Sequence, residues 1–293
     1  MEGRPFSGVH HHALPDDEPP PSSHRQDSLD GVEIEISVLG PVEVKGACRP
    51  FQRAWTLELV TYLAFHSRGA TNEAWATALW PDRLMAAPTV HSTASAARRA
   101  LGRSSRGLDH LPRRHGALRL APTVSTDWER LCRMAGTEDP EAWGTGLSLV
   151  RGRPFEGLRT PDWTVLEGVA AEVDEGVVQL AARLAEHLLS VGDGQGAARA
   201  ARRGLRACPF DERLYRLLLR AADRQGNPAG VESAMGDLLT LVGGGGQPWA
   251  AEGGLTPSAA DCLHPETTAL YRSLTRRPRA GGAPAAGRAF ARL

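Results

Sequence analysis

The feature that most constrains this chain is an offset of 34 residues in its second half. Gly192-Asp193 returns as Gly226-Asn227, and at the same offset Leu184 matches Leu218, Ala201 matches Met235 and Leu205 matches Leu239. A Gly-Asp/Asn turn between apolar helical stretches, repeated at that period with Pro209 after the second helix, specifies helical hairpins stacked side by side. A single hairpin cannot bury its own apolar face, so further helices before residue 176 and after residue 263 are expected to complete the stack.

The first half follows a different rhythm. Val32, Ile34, Ile36 and Val38 alternate with polar residues, the period-2 pattern of a half-buried strand. After Gly40-Pro41, Val42-Glu43-Val44 predicts a second short strand. The period then lengthens: Trp55, Leu59, Tyr62, Leu63 and His66 share one helical face, closed by Arg68-Gly69. Thr71 predicts the N-cap of a second helix carrying Ala74, Trp75, Ala78 and Leu79 and ended by Trp80-Pro81. Thr89 predicts the cap of a third, over residues 90–101, stopped by Gly102. Its apolar stripe is Val90, Ala94, Ala97 and Leu101, with Ser92, Ser95, Arg99 and Arg103 opposite. LPRRH and ALRLA flank His115-Gly116 as the arms of a hairpin, and Asp127 starts the next helix.

Strands, three helices and a hairpin in that order make a winged helix-turn-helix. The expected fold class is mainly α: a winged helix-turn-helix with a small β-sheet and hairpin wing, followed by a TPR-like helical-repeat domain. The expected boundaries are a disordered tail over residues 1–30, the winged helix over 31–125, the helical domain over 126–277 and a second disordered tail over 278–293. The first tail is rich in His, Pro and acid and poor in branched apolar residues, so it cannot offset chain entropy. The glycine-rich stretch from Gly243 predicts a flexible excursion.

Charge then points to a partner. With 34 basic and 34 acidic side chains the net charge is +0, which excludes a uniformly basic coat for nucleic acid. Yet Arg98, Arg99, Arg103, Arg106, Arg113, Arg114 and Arg119 gather between positions 91 and 119, where Asp109 is the sole acid. A solvated arginine face with no ligand would have the same composition. What favours double-stranded DNA is that the charge falls on the third helix and the hairpin, the elements this fold turns toward the duplex.

Other motifs carry less. Cys48, Cys132, Cys208 and Cys262 stand apart with no C-x-x-C, so reduced, mostly buried thiols are expected rather than a disulfide scaffold or zinc site. His10, His11, His12 and His24 read as a polar tail, not a metal site. GDGQGAA at 192–198 lacks a preceding strand and a phosphate-binding lysine. Asp211 and Glu212 are adjacent, so they cannot face one another on a helix, and they predict a capped helix start. Trp55, Trp75, Trp80, Trp128, Trp143 and Trp163 read as core anchors rather than base-stacking platforms. No catalytic constellation is present, so no enzyme activity and no cofactor are expected. No apolar run is long enough to span a membrane and the N-terminus lacks a signal-peptide core, which predicts a cytoplasmic protein with no membrane partner.

Residues 32–275 resemble the antibiotic-regulatory-protein (SARP) type of bacterial transcriptional regulator. The resemblance rests on VLGPVEV at 38–44, ALWPDR at 78–83, TVHSTASAARRALG at 89–102 and TDWERL at 126–131. It continues through RGRPFEGL at 151–158, Trp163 and PFDERLYRLLLRAADRQG at 209–226. It implies a winged helix followed by a bacterial transcriptional activator domain (BTAD), a region also found at the end of large membrane-anchored relatives. It implies that helix 90–101 enters the major groove and that the wing, residues 111–120, touches the backbone. Carried over by position, the DNA-binding residues are Ser92, Ser95, Arg98, Arg99, Arg103, Arg113, Arg114 and Arg119. The chain departs from the pattern at Ala96 and Ala97, where the family carries Arg and Leu, leaving fewer base-reading groups. The implied function is a DNA-binding transcriptional regulator that self-associates on DNA or contacts RNA polymerase through its helical domain. The alternative is a protein-interaction module with a degenerate winged helix and a TPR-like partner-binding face.

Overall fold

Strand β1 (Ile34–Ser37) forms the centre of a three-stranded sheet, with Ile34 and Ile36 fully buried as the period-2 pattern requires. β2 (Glu43–Lys45) pairs with it antiparallel, Ile36 opposite Val44. In this computed structural model the described residues are 31–112, 116–243, 249 and 254–276. The two expected tails, most of the glycine-rich excursion, and Arg113, Arg114 and His115 of the expected wing lie outside the described residues.

Three helices follow: α1 (Ala54–Phe65), α2 (Asn72–Leu79) and α3 (Ala87–Leu101). Thr71 caps α2 as expected, its hydroxyl accepting from the Ala74 amide at 3.1 Å. The start of α3 differs from the sequence reading. The helix begins at Ala87 because Pro88 is tolerated in a first turn, where no amide is needed. Thr89 lies inside it, and its carbonyl accepts from the hydroxyls of Ser92 and Thr93, both at 2.9 Å. The stripe Val90, Ala94, Ala97 and Leu101 is buried, and α3 packs against α1. The two arms of the wing do not form a regular ladder with each other among the described residues. Ala121 N–H donates to His110 O at 2.8 Å at the base, and Leu118 exchanges two backbone hydrogen bonds with Ala70, at 2.8 and 2.9 Å.

The sheet closes with β3 (Val124–Thr126), parallel to β1, a three-residue strand too short to leave a periodic signal. It runs directly into α4 (Asp127–Ala135), whose start is a capping box between Thr126 and Glu129. Then come α5 (Pro140–Ser148), α6 (Asp162–Leu166), α7 (Val169–Ser190), α8 (Gly194–Ala207), α9 (Glu212–Arg224), α10 (Pro228–Leu241), α11 (Pro257–Asp261) and α12 (Pro265–Thr275).

The 34-residue offset corresponds to the hairpins α7–α8 and α9–α10. Gly192 and Gly226 adopt φ of 87° and 62°, a left-handed turn that an L side chain resists. Asp193 and Asn227 then cap α8 and α10, accepting from Gly196 and Gly230 amides at 2.7 and 2.9 Å. Flanking helices complete the stack: α4 and α5 precede it, and α12 packs on α9 and α10.

The winged and helical parts share one hydrophobic core. Residues 151–158, the RGRPFEGL stretch, lie along the β1–β2 turn: Arg151 and Phe155 amides donate to Leu39 O and Val38 O at 2.6 and 2.9 Å. Buried Asp127 accepts from the Val38 and Leu39 amides at 2.7 and 3.2 Å. Burial raises its pKa, opposed by those two N–H groups and by Arg151. Glu58 of α1, also buried, accepts from the Arg159 amide, from the Thr160 amide at 3.1 Å and from the Thr160 hydroxyl at 2.9 Å. Trp163 packs edge-on against Tyr62 with ring centroids 5.1 Å apart, and Phe155 against Phe65 at 5.4 Å. Trp75, Trp80, Trp128, Trp143 and Trp163 are core anchors as expected, with Trp55 half-buried.

The cysteines correct the sequence reading. All four are free, but Cys48, Cys132 and Cys262 are exposed and only Cys208 is partly covered. Cys48 lies in a loop, Cys132 on the outer side of α4 and Cys262 at the end of a helix, while Cys208, at the end of another, packs against the core. Among the described residues no helix is long and apolar enough to cross a membrane.

Candidate nucleic-acid interface

The exposed edge of α3 carries His91, Ser92 and Arg99, with Ser95, Ala96 and Arg98 partly covered beside them. Two clefts flank that edge. On one side, Asn72 at the start of α2, His91, Ser95 and Arg98 of α3 and residues 116–118 of the wing line a cleft of about 360 Å³. On the other, Ala96, Arg99 and Ala100 meet the loop before α1, and with Arg49 and Arg53 they line a cleft of about 260 Å³.

The structure assigns different work to the arginines that sequence groups together. Arg98 donates its Nε–H to Leu111 O at 3.2 Å, tying the helix to the base of the wing. Arg103 stands beyond the end of α3, since Gly102 terminates the helix, so it is not on the helical face expected for it. Its Nε donates to Asp109 at 3.0 Å, the one acid of that segment. Arg119 is exposed on the returning arm, but lines a different cleft with His66, Glu129 and Arg133, on the α1 and α4 side. Arg106 is exposed in the α3–wing connector. Arg113 and Arg114 lie outside the described residues. Of the expected set, α3 thus brings together Ser92, Ser95, Arg98 and Arg99, with Arg103 beyond its end and Arg119 on a different cleft.

Arg99 instead gains two companions that the sequence reading missed. Arg49 and Arg53 are exposed, and no acidic side chain pairs with either of them or with Arg99 among the described residues. Their placement is fixed by the backbone, the Arg49 amide donating to Ala100 O at 3.1 Å near the end of α3. More than forty positions separate them from Arg99, so no window scan joins the three. The available signal was that no acid lies between Lys45 and Glu58. Three unpaired guanidinium groups on one cleft beside an exposed helix edge can hold phosphate oxygens through charge-assisted, two-pronged hydrogen bonds. Ser92 and Ser95 add hydroxyls that suit phosphate or base edges with little preference.

Residues 129–234 match the family model of the bacterial transcriptional activator domain. Among solved structures, the chain is similar to Mycobacterium tuberculosis EmbR in complex with a low affinity phosphopeptide, at a TM-score of 0.54 and 18% identity, over 83% of this chain and 69% of that one. At that identity the likeness is one of fold. No curated protein matches the chain.

Proposed function

We propose that this protein binds duplex DNA through its winged helix and regulates transcription. In this reading α3 lies in the major groove, with Ser92, Ser95, Arg98 and Arg99 facing the duplex. The wing, with Arg113, Arg114 and Arg119, follows the backbone, and Arg103 reaches a phosphate once it leaves Asp109. Arg49 and Arg53 grip the backbone on the opposite flank of α3. The helical domain, hydrogen-bonded to the winged part through Glu58, Asp127 and residues 151–158, mediates self-association or contact with RNA polymerase. The observation that carries the reading is the convergence of unpaired Arg49, Arg53 and Arg99 beside the one exposed polar edge of α3.

The sequence departure at Ala96 acquires a consequence. Ala96 sits on that edge, partly covered and without a polar group, between Ser92 and Arg99. Base readout therefore rests on few side chains, and backbone contacts supply most of the affinity. The test is recovery of genomic fragments by the purified protein at about 0.15 M salt, followed by sequencing. Enrichment of promoter-proximal sites sharing a repeated short element supports a sequence-specific regulator. Uniform recovery leaves a non-specific binder, and no recovery overturns the reading in favour of a protein-interaction module.

A further inference from the structure

A second basic surface lies in the helical domain, and the winged-helix reading does not use it. Helix α8 presents Arg199, Arg202 and Arg206 to solvent, at spacings of three, four and seven residues that place them on one face. They rim a cleft of about 570 Å³ between α5, α7 and α8 whose floor includes Leu147, Leu184 and Leu188. Arg203 belongs to the same rim but is committed. It donates to Leu147 O at 3.4 Å and Ser148 O at 2.8 Å, closing the last carbonyls of α5. The neighbourhood of Arg206 and burial both lower the pKa of Arg203, burial contributing more, which marks a locally positive and partly dry site. The acid on the lining is Asp193, which caps α8 and lies 4.0 Å from Arg199. Arg202 and Arg206 have no acidic partner among the described residues.

We propose that this cleft is a docking site for an acidic amphipathic helix of a partner protein. The charge sets the sign of the partner, and the leucine floor sets its kind. Leu147 and Leu184 are already buried in the floor, so the apolar surface on offer is that of the partly exposed Leu188, which a phosphate backbone would leave against water. A helix with an apolar stripe covers Leu188 and the aliphatic stems around it, and acids beside that stripe meet Arg199, Arg202 and Arg206. These span about 10 Å along α8, roughly two helical turns, the pitch at which acids four and seven residues apart recur on a partner helix. This surface is separate from α3 and the wing, so it stands whether or not the winged helix binds DNA.

The test uses the full chain and a fluorescein-labelled peptide of about sixteen residues with leucines at helical spacing flanked by glutamates. A scrambled peptide of identical composition serves as the comparison. Fluorescence anisotropy is expected to give binding at least about tenfold tighter for the periodic peptide than for the scrambled one. Arg202→Glu with Arg206→Glu is expected to weaken it at least about tenfold while leaving duplex binding unchanged. Should that reversal unfold the chain, Arg202→Gln with Arg206→Gln reads the same contact with a smaller loss. No binding, equal binding of both peptides, or binding unaffected by the substitutions overturns the proposal. So does displacement of the peptide by a DNA duplex that still binds when Arg49 and Arg99 are replaced by Ala, which would give the cleft to nucleic acid.

Discussion

Replacing Arg49, Arg53 and Arg99 together by Ala removes three guanidinium groups that no acid of the described residues neutralises. If each neutralises one phosphate, the slope of log affinity against log salt becomes shallower by about 2.7, at about 0.9 per contact. Between about 50 and 200 mM salt that difference amounts to roughly 40-fold in affinity. Fluorescence anisotropy with a fixed duplex across that salt range measures it directly. Arg103→Ala is the internal comparison. Its guanidinium is held by Asp109 at 3.0 Å, so it must exchange one anion for another, and its slope change should be well below that of Arg99→Ala. The triple variant should remain folded, because all three side chains are exposed. A triple variant with the wild-type slope would refute the placement of this cleft against the backbone. An Arg103→Ala effect equal to that of Arg99→Ala would refute the argument that an internal ion pair withdraws an arginine from DNA.

Three further outcomes follow from the packing. A Cβ on Gly176 of α7 would stand 2.3 Å from Trp128 Cη2, so Gly176→Ala forces α7 away from α4. Overpacking costs about 1–3 kcal/mol and the helix preference of Ala returns about 1, leaving a net loss of up to about 2 kcal/mol in urea unfolding. Glu58→Gln turns an acceptor for three donors into a group with one acceptor and one opposing N–H₂, and is expected to cost about 2 kcal/mol by the same measurement. Glu175, bonded by Arg213 and Gln179, has its pKa lowered from 4.5 to about 2. Its folded form is the more acidic, so its contribution is full above pH 4.5 and fades as pH falls toward about 2. Glu175→Gln should therefore lose less stability than wild type between those pH values, and equal losses would contradict the assignment.

Local patterns in the sequence carried most of the architecture. The Gly192 and Gly226 turns with their Asp193 and Asn227 caps are backbone requirements satisfied within a few residues, so the hairpin repeat is visible without coordinates. The α3 stripe was legible for the same reason: Val90, Ala94, Ala97 and Leu101 are spaced for one buried face. The first turn of α3 was not, because Pro88 looks like a stop until its place at a helix start is seen. The strand β3 was not, because three residues make no period and its stability comes from pairing with β1.

The candidate interface divides along the same line. Sequence alone fixed which face of α3 is polar, because helical periodicity is a property of neighbours in the chain. It also placed the excess of arginine near that helix. Only the tertiary structure decided which arginines are free. Arg98 is bound to the wing, Arg103 to Asp109, and Arg49 and Arg53 arrive from another element to stand beside Arg99. The same holds for Glu58 and Asp127, whose backbone partners lie 101 and 89 positions away along the chain. Composition counts charges, but whether a charge is spent inside the fold depends on contacts between distant segments, which local periodicity does not encode.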